Sequence, residues 1–283
     1  MSGGTAANVS VSAARILGPG RVAFIGALGE DPVAEEQINI LRDEGVDFSG
    51  VLIVPGEESG QAYISINSKG ENEIHTYFGA NLKITSGHMR DRERLELIKQ
   101  SKYCVIMDPP LKTAESLASL CQDNNVKVMW DPGVYAEKGL DKLMPVLRNT
   151  DYFILNHLEY ENLLGTSEPK RVIELLQKEV KEICAIIKQG SEGSTLIDSS
   201  GTTVTIEALP LEKMGAQIVN TVGCGDAFIG GFSAAKVEGM DDIEALRYAN
   251  AAGGFKATRR ETRGGPTHKQ LLETLSRWRS PKF

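Results

Sequence analysis

The chain has 283 residues, 41% hydrophobic and 24% charged, which suits one large α/β domain with a sizeable core. A formal net charge of −7 without a basic run argues against non-specific nucleic-acid binding, yet leaves room for a local basic pocket. Cysteines at 104, 121, 184 and 224 form no C-x-x-C pair, and no apolar run approaches a membrane span. The reading is a soluble, cytoplasmic protein with neither nucleic-acid nor membrane partner.

Helical and strand periods alternate along most of the chain, as in an α/β domain with a mainly parallel sheet. A first helix is expected from Gly4 to Leu17, then a buried strand at RVAFIG (21–26). DPVAEEQINILRDEG (31–45) carries Asp31 as N-cap, Pro32 in the first turn and Gly45 past the end. Residues 50–79 read as a small meander of consecutive strands with a turn at SKGEN. Short apolar strands follow at YCVIM, VKVMW, YFILN and ICAIIK, separated by helices near 91–100, 112–124, 140–148 and 157–180. TLIDSSGTTVTIEAL (195–209) reads as a hairpin, and helices are expected at 226–238, 241–257 and 267–278. One domain over 1–283 with a β excursion at about 46–80 accounts for this order.

The stretch NTVGCGDAFIGG (220–231) sets Gly223, Cys224 and Gly225 directly before Asp226 and a helix start. A helix N-terminus presents unpaired N–H groups to an anion, and glycines let backbone approach it closely. An aspartate beside such an anion hole can accept the proton of a hydroxyl attacking a phosphoryl group. The plainer reading is that Asp226 simply caps a helix after a glycine turn. G-x-x-x-x-G-K-[ST] is absent, and Phe228 stands where a dinucleotide fingerprint needs glycine, so two rival phosphate motifs fail.

NTVGCGDAF resembles the D-T-x-G-A-G-D-x-F signature of the ribokinase-like (PfkB) carbohydrate and nucleoside kinases. Other segments follow in the family's order: GGTAAN (3–8), FIGALGEDPVAEE (24–36), GAN (79–81), WDPGVY (130–135), NHLE (156–159) and KQGSEGS (188–194). The resemblance covers essentially the whole chain. It implies a three-layer α/β sandwich with a mainly parallel central sheet and a β-strand lid. It also implies transfer of phosphate from ATP, with Mg2+, to a primary hydroxyl of a sugar or nucleoside. Asp226 would be the base, with Gly223, Cys224 and Gly225 as the anion hole. Gly3, Gly4 and Asn8 would hold the acceptor, and Asn156 and Glu159 the magnesium. Lys188, Gly190, Gly193, Asn250 and Gly265 would serve the nucleotide, with Gly264 in the same loop as Gly265.

Each role has a plainer counterpart. N-x-x-E at a helix start is a common cap, and Lys188 could end its strand in solvent. Asn250 could be an ordinary polar helix residue, and Arg259, Arg260 and Arg263 read as solvated charges. Tyr63, His75, Tyr77 and Phe78 in the lid strands could stack on a nucleobase, which leans toward an adenosine-type acceptor, or pack within the lid. Apolar lid strands could also pair two copies into a homodimer.

The chain departs from the family pattern in four places. Asn220 replaces an aspartate linked to monovalent-cation binding, so potassium dependence is expected to be weak or absent. Cys224 replaces alanine, and Tyr135 replaces an arginine. The chain opens almost at GGTAAN, whereas the family carries a strand, a lid hairpin and a substrate-binding aspartate ahead of it; the sequence reads as lacking that segment. A non-catalytic nucleotide- or sugar-binding protein that kept the fold is the alternative, and a dinucleotide oxidoreductase is disfavoured by its missing glycine fingerprint.

Overall fold

Gly4 sets the first element. Its φ of 94° is strained for any side chain, and Asn8 N–H donates to its carbonyl at 2.8 Å to close the first turn of α1 (Thr5–Leu17). This computed structural model describes residues 2–66 and 72–278, so most of the expected SKGEN turn lies outside the described residues.

Strand pairing after α1 departs from the expectation. Val22–Phe24 makes one isolated parallel bridge, Ala23 to Asp47, and β1 proper is Gly26–Gly29. Phe24 N–H and Val22 O bond only Asp47, so no ladder forms there, while both side chains pack on Val11, Leu41 and Val46. Helix α2 (Pro32–Asp43) begins as expected, with the Asp31 carboxylate accepting from Ala34 N–H at 2.8 Å. β2 (Val51–Val54) pairs in parallel with β1 and takes no part in a meander. Only β3 (Gln61–Ile66) and β4 (Asn72–Tyr77) form the antiparallel excursion.

Beyond α3 (Arg92–Gln100) the chain alternates strand and helix: β5 (Tyr103–Met107), α4 (Leu111–Asp123), β6 (Lys127–Asp131), α5 (Leu140–Leu147) and β7 (Tyr152–Asn156). The helix expected over 157–180 is two, α6 (His157–Leu164) and α7 (Pro169–Leu176). Gly165, left-handed at φ 72°, ends the first, and Pro169 can only start the second. Then come β8 (Cys184–Lys188), β9 (Ser194–Ile197), β10 (Thr203–Ile206), α8 (Cys224–Val237), α9 (Asp242–Ala257) and α10 (His268–Trp278).

The main sheet runs β10-β9-β8-β7-β6-β5; β5 to β8 are parallel, and β9 and β10 turn back antiparallel. Strand alternation sorts its side chains between two helical layers. Val128, Trp130, Phe153, Leu155, Ala185 and Ile187 pack with α4–α7. Met129, Ile154 and Ile186 point the other way, into α1, α8, α9 and α10. Each fully buried Leu, Ile or Phe contributes roughly 1.5–3 kcal/mol of transfer free energy.

In the second layer α8 approaches its neighbours closely. A Cβ at Gly231 would lie 2.8 Å from Ala252 Cβ, and one at Gly230 would lie 2.6 Å from Ser12 Cβ. Only glycine permits these contacts, and they bring α8 close against α1 on one side and α9 on the other.

Candidate active site

Parallel strands bring their carboxyl ends to one edge, where open α/β sheets form a ligand crevice. Asp108 follows β5, Asp131 closes β6, Asn156 closes β7 and Lys188 closes β8. The Lys188 ammonium pairs with Asp131 Oδ2 at 2.6 Å, and Asp131 Oδ1 accepts from Gly133 N–H at 3.0 Å. Burial works against the charge on Lys188, but Asp131, Glu159 and Asp226 outweigh it and hold its pKa above the usual lysine value. Of the two readings of Lys188, the solvated strand cap does not hold: the side chain is 17% exposed and ion-paired.

The N-terminus of α8 faces this edge. Gly223 has φ 86°, and a Cβ there would stand 2.4 Å from Thr262 O, so the turn admits only glycine. At Gly225 the nearest atom to an added Cβ is Lys188 Nζ, at 3.8 Å, which sets a cation beside the open helix end.

Asp226, in the first turn of α8, is tied to α1: Asn8 Nδ2 donates to its Oδ2 at 2.7 Å. Arg263 Nε in turn donates to Asn8 Oδ1 at 3.1 Å, and the same guanidinium reaches Gly3 O and Gln37 Oε1. Burial raises the Asp226 pKa, while the Asn8 bond and Lys188 oppose the rise. Arg263, expected to be solvated, is buried and orients Asn8; Arg259 and Arg260 are exposed, as expected.

Asp108 completes the arrangement. Its φ of 51° turns the chain so that Oδ2 accepts from Thr5 Oγ1 at 3.0 Å and Oδ1 from Val134 N–H at 3.2 Å. A Cβ at residue 133 would stand 1.9 Å from Asp108 Oδ1, so Gly133 makes the room. Burial, then the charge of Asp131, pushes the Asp108 carboxyl up to about 6.

Asn156 and Glu159 form a reciprocal capping box at α6, with Glu159 N–H donating to Asn156 Oδ1 and Asn156 N–H to Glu159 Oε2. Burial raises the Glu159 pKa, and nearby Asp131 adds to the rise. Among the described residues no three acids, histidines or cysteines converge as a closed metal cage. A magnesium ion carried in on phosphates needs only one or two carboxylates and keeps waters. Asp131 and Glu159 fit that demand.

The remaining expected residues divide. Gly190, at φ 60°, faces open space, whereas Gly193 is required by β10, since a Cβ there would lie 2.1 Å from Ile206 O. The Asn250 amide donates to Ile206 O at 2.9 Å and Glu207 O at 3.1 Å, pinning α9 to the end of β10. A Cβ at Gly265 would lie 2.7 Å from Ser12 Oγ, so its loop packs on α1.

Thr5 and Asp108 were not read from the sequence as site residues, and Asp131 was read only inside a motif. The signal for the two aspartates was present: each is an acid at a strand end followed by proline, in MDPP and WDPG.

The pfkB family carbohydrate kinase model matches residues 1–269, and the chain belongs to that family. It is accordingly a kinase of sugars or nucleosides. A ribokinase of Haemophilus influenzae is 29% identical over 282 residues, covering 96% of this chain and 87% of the relative. Arabidopsis thaliana ribokinase, solved with ribose and ATP, superposes with a TM-score of 0.85 at 28% identity, covering 96% of this chain and 87% of its own. A putative ribokinase II from E. coli, solved with ATP and Mg2+, shares the fold with a TM-score of 0.83 at 23% identity, over 97% and 88% of the two chains.

Proposed function

We propose that the chain transfers the γ-phosphoryl group of ATP to a primary hydroxyl of a pentose-type sugar, with Asp226 as general base. The observation that carries this reading is the Asp226 carboxylate, held by Asn8 beside the open N-terminus of α8 and next to Lys188. The acceptor hydroxyl gives its proton to Asp226 while its oxygen bonds the γ-phosphorus, and ADP leaves with the bridging oxygen. N–H groups of Gly223, Cys224 and Gly225, with the Lys188 ammonium, stabilise charge on the transferring group. Thr5, Asn8 and Asp108, with Gly3 and Gly4 shaping the turn, offer polar groups for the acceptor's other hydroxyls.

Asp131 and Glu159 would hold magnesium, with Asn156 fixing Glu159 through the capping box; the ion supplies neutralising charge on the phosphates. Gly190 and Gly265 would line the nucleotide. Gly193 and Asn250 would shape that site without contacting the base, because β10 occupies both.

A nucleoside acceptor, adenosine among them, is a second reading, favoured by Tyr63 and Tyr77, which stand 58% and 44% exposed on the lid strands. The same face could receive a second copy of the chain; a monomer by light scattering at micromolar concentration would remove that idea. The four free thiols suit a reducing, cytoplasmic compartment.

The test is ADP release from Mg-ATP with separate pools of pentoses, ketoses and nucleosides. Acceptor-dependent release confined to the pentose pool supports the reading. Release only with nucleosides moves it to the second, and ATP binding without turnover in every pool overturns both in favour of a non-catalytic binder.

A further inference from the structure

Lys256, in the last turn of α9, is fully buried, and among the described residues no carboxylate lies within bonding distance of its ammonium. Nζ donates to two main-chain carbonyls, Asn220 O at 2.8 Å and Arg259 O at 3.4 Å. Asn220 begins the loop that ends in the anion hole, and Arg259 begins the loop that returns to Arg263. Other bonds run between the same loops: Asn220 Nδ2 donates to Arg260 O at 2.9 Å, and Asn220 N–H donates to Ala257 O at 3.1 Å. Gly223 rests against Thr262 O. The ammonium is therefore the one charged group bonded to both loops among the described residues, and it sits at the negative end of the α9 dipole.

Burying an ammonium against neutral carbonyls is costly, and burial does push the Lys256 pKa down, against the charges of Glu261 and Asp226. A neutral packing residue such as methionine would fill the space without that cost, so the charge itself needs a reason. The anion hole supplies one. Its amides must stay aimed at a phosphoryl group, and a cation drawing Asn220 O and Arg259 O together fixes the loop that carries them.

We propose that Lys256 is a positioning residue for phosphoryl transfer: its ammonium acts as a built-in monovalent cation that joins the 220–225 and 258–263 loops, so that the chain needs no added potassium. This rests on the kinase reading above, while the structural part of the proposal does not. The residues around Asn220 and Gly264 thus do not fit a separate monovalent ion, because a covalently tethered cation already engages the carbonyls.

The experiment compares wild type with Lys256→Ala and Lys256→Met, in choline chloride, NaCl, KCl and NH4Cl at one ionic strength. Wild-type kcat is expected to be the same in all four salts. In Lys256→Ala kcat is expected to fall about 30-fold or more with little change in KM, in line with losing anion-hole order, and to recover at least partly in KCl or NH4Cl. Lys256→Met, which leaves no space for an ion, is expected to lose activity without recovery. Independently of turnover, amide hydrogen exchange at 220–225 is expected to quicken in Lys256→Ala and slow again in KCl or NH4Cl but not in choline chloride. Strong potassium activation of wild type, or unchanged exchange and kcat in Lys256→Met, overturns the proposal. If both variants fail to fold, the salt response of wild type still decides it. If wild type shows no kinase activity in any salt, the exchange measurement still tests the loop tie, and only the kinase reading falls.

Discussion

On one face of the main sheet, α4–α7 meet Trp130, Phe153 and Leu155 with side chains such as Leu117, Leu143 and Ile173; on the other, where Phe228 and Phe232 also pack, α8 touches α1 and α9 directly at Gly230 on Ser12 and Gly231 on Ala252. Long side chains can shift rotamers when a neighbour changes. Backbone set against Cβ at under 3 Å from a would-be side chain cannot. The site follows this division: Asn8 and Asp226 sit on the two helices of the tightly packed layer, while the aliphatic layer supports the strand ends from beneath.

The largest effect expected from testing this contrast is chemical. Asp226→Asn should lower kcat by about 10²- to 10⁴-fold, the worth of a general base, while circular dichroism and ATP binding stay near wild type. A loss under tenfold would move the base elsewhere. Gly231→Val comes next, because its Cβ would meet Ala252 Cβ at 2.8 Å and Tyr248 O at 3.0 Å. Overpacking there should cost about 3 kcal/mol and reduce kcat as well, since α8 must shift. Leu143→Ala in the aliphatic layer should cost a comparable 2–5 kcal/mol, roughly, yet leave kcat within about twofold. Equal kinetic damage from both would erase the distinction between the layers.

Asp108→Asn probes the charge crowded at the strand ends. Folded Asp108 titrates at about 6 against an ordinary 3.8, so the stability tied to its proton is full below 3.8 and lost as pH rises through 6. The variant should therefore melt higher than wild type at pH 8, by the equivalent of about 2 kcal/mol, and show no such gain near pH 4. A pH-independent difference between the two proteins would contradict the shifted titration. Smallest is Tyr63→Ser on the exposed lid strand, expected to change stability by less than about 0.5 kcal/mol. Its effect should fall on acceptor KM, and more for nucleosides than for pentoses if the ring stacks on a base.

Much of the main sheet was legible because each strand from β5 to β8 is a short apolar run with helical periods between. The first strand was misplaced for a reason of partners: Val22 and Phe24 are as apolar as any strand, but they bond only Asp47. The 50–79 stretch was read as a meander because local sequence shows three strands and cannot show that Val51–Val54 pairs with Gly26–Gly29. The continuous helix over 157–180 overlooked Gly165 and Pro169, both visible in the sequence.

By itself the sequence determined the α/β alternation, the glycine turn before Asp226 and the order of motifs along the chain, all of which depend on neighbours within a few residues. Tertiary structure decided which side chains meet. Asn8 and Asp226 are 218 residues apart, Thr5 and Asp108 are 103, and Arg263 reaches Asn8 across 255. The burial of Lys256 and Arg263 also belongs there. Both are charged residues in a polar stretch, and only loop carbonyls and an asparagine brought in from elsewhere in the fold make their burial tolerable.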